Sequence, residues 1–248
     1  MYEIRGARRR YATRVISPSP QAVIFDFDGT LVDSEPVHAL ATGAGLALAG
    51  IELSVEEFLA RWVGLPDVDC YSQVARDRGR LLDAATLARV RIAKNETYER
   101  VALEGRVPLC EGAAGLVEDL ARDMPLGVCS AARRIEIEAA LERHGLRRRF
   151  RSIVAVEDVR VSKPDPEGYL KSAASLGVDP GACVALEDTP RGIEAALGAG
   201  IAVVGIAQTV SPDRLGGASL VVPRLAEVTR ATLAEALDRH RRGAASAS

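Results

Sequence analysis

Val23-Ile24-Phe25-Asp26-Phe27-Asp28-Gly29-Thr30-Leu31-Val32-Asp33-Ser34 decides how the rest of the chain is read. An apolar run rises into a carboxylate, a second carboxylate follows two residues on, and a glycine comes next. Two acids this close resist ionising together, and burial without a partner penalises each of them further. A bound divalent cation removes that penalty. With a metal and a cationic side chain to aim it, Asp26 can serve as a nucleophile. A strand-ending turn, where Asp and Gly are common, accounts well for one of these aspartates and poorly for two that flank an apolar Phe27.

Outward from this stretch, short apolar runs recur at 22–25, 126–129, 153–156, 183–186, 201–206 and 220–222. Each has the length of a fully buried strand, and the polar-punctuated segments between them have helical spacing. Alternating strands and helices predict an α/β fold: an open, Rossmann-like parallel sheet with helices on both faces. The region from about 35 to 105 breaks the rhythm. It holds no strand-like run but has helical patterns near 37–49, 55–62, 68–78 and 84–101. It reads as a helical cap inserted after the first strand. The expected boundaries are an N-terminal extension over 1–20, a core over 21–35 and 107–240, a cap over 36–106 and a disordered tail over 241–248.

Composition sets limits on function. The chain has 248 residues, 48% hydrophobic and 27% charged, with a formal net charge of −2 and only 4% aromatics. Neither bulk positive charge nor a base-stacking surface points to nucleic acid. The run 37–51 is too short and too broken to span a membrane. Arginines 5, 8, 9, 10 and 14 resemble part of an export signal, but the apolar run that follows carries Asp26 and Asp28. A flexible extension is the better reading. Cys70, Cys110, Cys129 and Cys183 form no Cys-x-x-Cys pair, and three histidines give no zinc spacing. Free thiols in a reducing cytoplasm are expected, and the chain is expected to act as a monomer.

Open parallel sheets collect their sites at the carboxyl ends of strands. Asp26 and Asp28 end the first run, Ser130 the 126–129 run, and Glu187 and Asp188 the 183–186 run. Lys163 follows 153–156 after a short connection and precedes Pro164, which favours an extended backbone there. A lysine is more often a solvated charge, and a glutamate at a helix start is often a surface acid. Asp188 ends a Val184-Ala185-Leu186 run as a carboxylate in need of a partner, and Thr189-Pro190 makes a good helix start behind it.

The ordered set of Asp-x-Asp-Gly-Thr, then Ser, Lys and Glu-Asp after later strands, resembles the haloacid dehalogenase-like superfamily of phosphohydrolases. The resemblance covers nearly the whole chain outside its two ends. Leu186-Glu187-Asp188-Thr189-Pro190-Arg191-Gly192-Ile193-Glu194-Ala195-Ala196 narrows it to the branch with a helical cap, which includes β-phosphoglucomutase-like proteins and small sugar-phosphate phosphatases.

That resemblance implies that Asp26 is the nucleophile and forms an aspartyl-phosphate. It makes Asp28 the acid that protonates the leaving alcohol, then the base that activates water. It implies Mg²⁺ held by the Asp26 side chain, the Asp28 main-chain carbonyl and the Asp188 side chain, with Glu187 orienting a bound water. Ser130 and the Ala131 amide would bind phosphate at the start of the next helix. Lys163 would offset the charge of Asp26 and the transferring phosphoryl group. Family members often carry Asn or Ser where Ala131 and Ala132 stand, so only main-chain contacts are expected there. Some place a histidine near the leaving group where His38 stands, although His38 also reads as an ordinary polar helix residue.

The segment Trp62-Val63-Gly64-Leu65-Pro66-Asp67 aligns with the family's substrate-specificity loop. The mutases have a lysine before that glycine and an arginine three residues after it, which grip a second phosphate. Here Val63 and Asp67 stand there, and an acid is a poor receptor for a phosphate dianion. The expected function is therefore a Mg²⁺-dependent phosphatase of a small phosphorylated metabolite, with a sugar phosphate as the leading candidate. The alternatives are a phosphomutase of the β-phosphoglucomutase type and, last, a non-enzymatic phosphate-dependent binding module. Dehalogenases of this superfamily lack the acid that Asp28 supplies. A phosphonatase would need a cap lysine as an amine nucleophile, and the cap's one lysine, Lys94, sits late in it.

Overall fold

The computed structural model describes residues 19–63, 65 and 67–246. Residues 1–18 of the expected extension, Gly64 and Pro66 of the expected specificity loop and residues 247–248 of the expected tail lie outside the described residues.

Six strands form one parallel sheet: β1 (Ala22–Phe25), β2 (Leu126–Cys129), β3 (Phe150–Val154), β4 (Cys183–Glu187), β5 (Ala202–Ile206) and β6 (Leu220–Val222). Their order is β3-β2-β1-β4-β5-β6. The order reverses beside β1, and that is where open sheets form a crevice at their carboxyl ends. Register brings the ends together, with Phe25 opposite both Val128 and Leu186.

Alternation along the strands makes two cores. Val23 and Phe25 face α5 (Ala113–Leu120), α6 (Arg134–Arg143) and α9 (Arg230–Ser246), where Val117, Ile137 and Leu233 are fully buried. Ala22 and Ile24 face α7 (Glu167–Leu176) and α8 (Pro190–Gly198), where Tyr169 and Ala196 are fully buried. A sheet covered on both faces explains why its strands read as unbroken apolar runs.

Between β1 and α5 lie α1 (Glu35–Ala47), α2 (Val55–Arg61), α3 (Asp67–Asp77) and α4 (Ala84–Leu103). They share a separate core of Leu46, Phe58, Trp62, Tyr71, Val74 and Val90. Ser54 and Asp83 start α2 and α4 by accepting the amides of Glu57 and Thr86 at 3.1 and 2.7 Å. α4 is long enough to pack along α1 and also reach α6 of the core.

The structure departs from sequence expectation at three places. β3 starts at Phe150, three residues early, and ends at Val154; it is an edge strand, so exposed Arg151 is tolerated and hid its first half. The tail expected to be disordered is helical through Ser246, because α9 continues. Alanine and arginine are strong helix formers, Arg242 pairs with Asp238 one turn back, and Arg241 donates to the Gly181 carbonyl at 2.9 Å. The helix expected directly after Ser130 starts only at Arg134, where Glu136 accepts the Arg133 amide at 3.1 Å. Among the described residues no helix is long and apolar enough to cross a membrane, and all four cysteines are unpaired and buried.

Candidate active site

Three strand ends deliver charge to one crevice. The Asp26 amide donates to the Leu186 carbonyl at 2.9 Å, which sets this residue beside the end of β4. Lys163 reaches in from the β3–α7 connection, and its ammonium donates to Asp26 Oδ1 at 2.6 Å and Glu187 Oε1 at 2.5 Å. Asp26, Glu187 and Asp188 each offer an oxygen, and these oxygens lie within 4.8 Å of one another. All three residues are buried.

Burial, with Glu187 and Asp188 adding to it, raises the Asp26 carboxyl against the opposing pull of Lys163. Burial likewise works against the Lys163 ammonium, but Asp26 and Glu187 more than offset it and its pKa is raised. One cation thus serves three buried acids. Asp188 is pushed up to about 7, first by burial, and its Oδ1 is buried with no hydrogen-bond partner. A buried, orphaned carboxylate oxygen next to two further acids is the environment that a hard divalent cation satisfies. The donor set therefore fits Mg²⁺.

The two oxygens of Glu187 are differently placed. Oε1 accepts from Lys163 and from the Tyr169 hydroxyl at 2.9 Å, and Oε2 from the Thr189 amide and hydroxyl at 3.2 and 3.0 Å. With both oxygens engaged, Glu187 is better suited to fixing Lys163 than to direct ligation. α8 starts against this carboxylate, with Thr189 accepting the Gly192 amide at 3.1 Å. A Cβ on Gly192 would lie 1.8 Å from Glu187 Oε1. Gly192→Ala is expected to destabilise the fold by about 1–3 kcal/mol. Urea denaturation checks this, and an unchanged midpoint would mean that Glu187 does not sit against α8. Gly29 plays the matching part for Asp188: its φ is 72°, and a Cβ there would meet Asp188 Oδ2 at 2.0 Å.

Asp28 turns away from this cluster toward the cap. Burial raises its pKa, with Ser34 and Tyr98 as opposing hydrogen-bond partners. The Tyr98 hydroxyl of α4 donates to Asp28 Oδ1 across a long 3.4 Å. His38 of α1 stacks on Tyr98, ring centroids 4.4 Å apart, and burial and then Lys94 lower its pKa to about 4. It is neutral at neutral pH. Lys94 is buried one helical turn before Tyr98, and its ammonium pairs with Asp67 Oδ2 at 3.1 Å. Arg133 of the core also pairs with Glu99 of α4 at 2.9 Å.

Ser130 is buried, and its hydroxyl oxygen accepts the Ala132 amide at 2.9 Å, which leaves its proton for another acceptor. With α6 starting later, residues 130–132 form a loop, not a first helical turn. The sequence singled out Asp26, Asp28, Ser130, Lys163, Glu187 and Asp188. It gave no sign of Tyr98, Ser34 or Tyr169 and set Lys94 aside. Lys94 and Tyr98 share one face of α4 by their i, i+4 spacing, the one signal that pairs them.

A family model described as haloacid dehalogenase-like hydrolase matches residues 20–200. Protein CbbY of Cupriavidus necator, plasmid form, is 30% identical over 248 aligned residues, covering 91% of each chain. Fructose-1-phosphate phosphatase YqaB of Escherichia coli is 32% identical over 184 residues, covering 74% of this chain and 95% of its own. The crystal structure of CbbY from Rhodobacter sphaeroides in complex with phosphate is similar with a TM-score of 0.61 at 28% identity, covering 84% of this chain and 96% of its own. The chain belongs to the haloacid dehalogenase-like hydrolase family. It is an enzyme, and the phosphatases among its relatives group it with the phosphoric monoester hydrolases.

Proposed function

We propose that this chain is a cytoplasmic, Mg²⁺-dependent phosphatase that hydrolyses a small sugar phosphate through an aspartyl-phosphate on Asp26. The observation that carries this reading is the meeting of Asp26 with Lys163 at 2.6 Å beside the orphaned Asp188 oxygen. Mg²⁺, held by Asp26, the Asp28 carbonyl and Asp188, would supply charge neutralisation and orientation for the phosphoryl group.

An Asp26 carboxylate oxygen attacks phosphorus, and the ester P–O bond breaks as the new O–P bond forms. The Ser130 hydroxyl and the Ala131 amide hold phosphoryl oxygens, and Lys163 offsets the gathering negative charge. Asp28, kept protonated further up the pH scale by its burial, gives its proton to the leaving oxygen. As a carboxylate it then takes a proton from water, which attacks phosphorus and frees both Asp26 and orthophosphate. Tyr98 orients Asp28 from the cap, and the stacked, neutral His38 backs the tyrosine ring.

The cap supports hydrolysis over mutase chemistry. Asp67 occupies the position of the mutase arginine and neutralises Lys94, so that cation is not free to hold a second phosphate. The double variant Val63→Lys/Asp67→Arg is expected to improve kcat/KM for a sugar bisphosphate relative to its monophosphate by about tenfold, the effect of one charge-assisted hydrogen bond. An unchanged ratio would show that this loop does not read the distal end of the substrate.

A panel of phosphorylated sugars, polyols and nucleotides, incubated with Mg²⁺ and assayed for orthophosphate, tests the whole reading. Phosphate release should stop with chelator and return with added Mg²⁺. Conversion of a hexose 1-phosphate into its isomer without phosphate release would overturn it.

A further inference from the structure

A second concentration of charge lies at the opposite end of the sheet. Met124 and Pro125 lead into β2, a 3₁₀ turn at Arg147–Arg149 leads into β3, and Arg151 is the second residue of β3. These are the amino ends of the strands whose carboxyl ends deliver Ser130 and, after a connection, Lys163. Arg122, Arg148, Arg149 and Arg151 line one cleft there of about 520 Å³, with Met124 and Pro125 also in its wall.

The acids nearby neutralise only part of this cleft. Asp123 is its one lining acid, and Arg230 already holds that carboxylate through contacts of 3.0 and 2.9 Å. Glu118 pairs with Arg149 at 2.8 Å, and Asp119 is shared between Arg122 and Arg230 at 3.3 and 2.8 Å. Arg148 and Arg151 are exposed, and neither makes an ion pair or side-chain hydrogen bond among the described residues. The chain as a whole carries −2, so this is a local positive pocket on a mildly acidic protein.

Guanidinium forks match phosphoryl oxygens two at a time. One exposed arginine gains little from one phosphate, because water and salt screen the pair. Several arginines around one concavity gain together from an anion whose phosphoryl groups are linked, and the volume is within the range of small-molecule sites. We propose that this cleft binds a small molecule carrying a chain of linked phosphoryl groups, at a site remote from the catalytic crevice. The assignment stands independently of the reaction proposed for Asp26.

Isothermal titration of the full chain at low salt, without divalent metal, tests it with two probes, inorganic triphosphate and adenosine triphosphate. Both should bind, and Arg148→Gln/Arg151→Gln should weaken both about tenfold or more, while the circular dichroism and the hydrolytic rate stay unchanged. Equal affinities assign recognition to the phosphoryl chain alone; tighter nucleotide binding adds a base resting on Met124 and Pro125. Two results overturn the proposal: no binding by the unaltered chain, or binding that the double variant leaves intact, which would put the anion in the catalytic crevice. Binding of single-stranded RNA through the same arginines, with neither small probe bound, overturns it too.

Discussion

Asp26→Asn is expected to lower phosphate release by roughly 10⁴-fold or more, the scale seen when a nucleophile is removed from a cooperating set. The fold should not suffer. Lys163 keeps its 2.5 Å contact with Glu187, and the change removes one of three mutually repelling buried carboxylates. In metal-free buffer the thermal midpoint should hold or rise by a few degrees, on the order of 1 kcal/mol of relieved repulsion. The paired measurement matters because it separates chemistry from folding. Residual turnover near that of the unaltered chain would remove Asp26 from the nucleophile's role. A large fall in midpoint would mean that its charge stabilises the crevice.

Lys163→Met should damage both properties. Methionine preserves much of the side-chain length and removes the ammonium that serves Asp26 and Glu187. Leaving buried carboxylates without their cation costs about 3–5 kcal/mol. Turnover should fall by roughly 10²–10³-fold, as when one preorganised electrostatic contact is lost. Added Mg²⁺ should restore part of the stability, since a cation held among the acids replaces some of the lost charge. Urea denaturation with and without Mg²⁺ measures this. A variant as stable as the parent in chelator would show that the acids are neutralised in some other way.

The parts of the molecule legible in the sequence are those where one physical demand dominates. Strands buried on both faces have to be apolar throughout, so β1, β2, β4 and β5 stand out as runs. β3 lies at an edge, and Arg151 interrupts its pattern. The convergence of Asp26, Lys163, Glu187 and Asp188 was legible because parallel strands all point their carboxyl ends one way, which makes sequence order a guide to place. The depth of Glu187's enclosure was not, because it depends on Tyr169 approaching from α7 and on α8 coming close at Gly192. Tyr98 and Lys94 were hidden for a similar reason. Single polar residues on a twenty-residue helix gain meaning only from the angle at which α4 lies over the core. The tail was misread because its alanines and arginines suit a solvated coil and a surface helix equally well.

α4 touches both halves of the molecule: Lys94 meets Asp67 in the cap, while Tyr98 and Glu99 meet Asp28 and Arg133 in the core. If the proposed chemistry holds, the proton donor is correctly aimed only when this helix is seated. A molecule too bulky to let α4 settle would find its ester bond beside Asp26 with no acid in line, and would diffuse away uncleaved. On that chemistry the helix would serve as a gauge of cargo size, rejecting oversized esters by geometry where the phosphoryl group itself looks the same on every one of them.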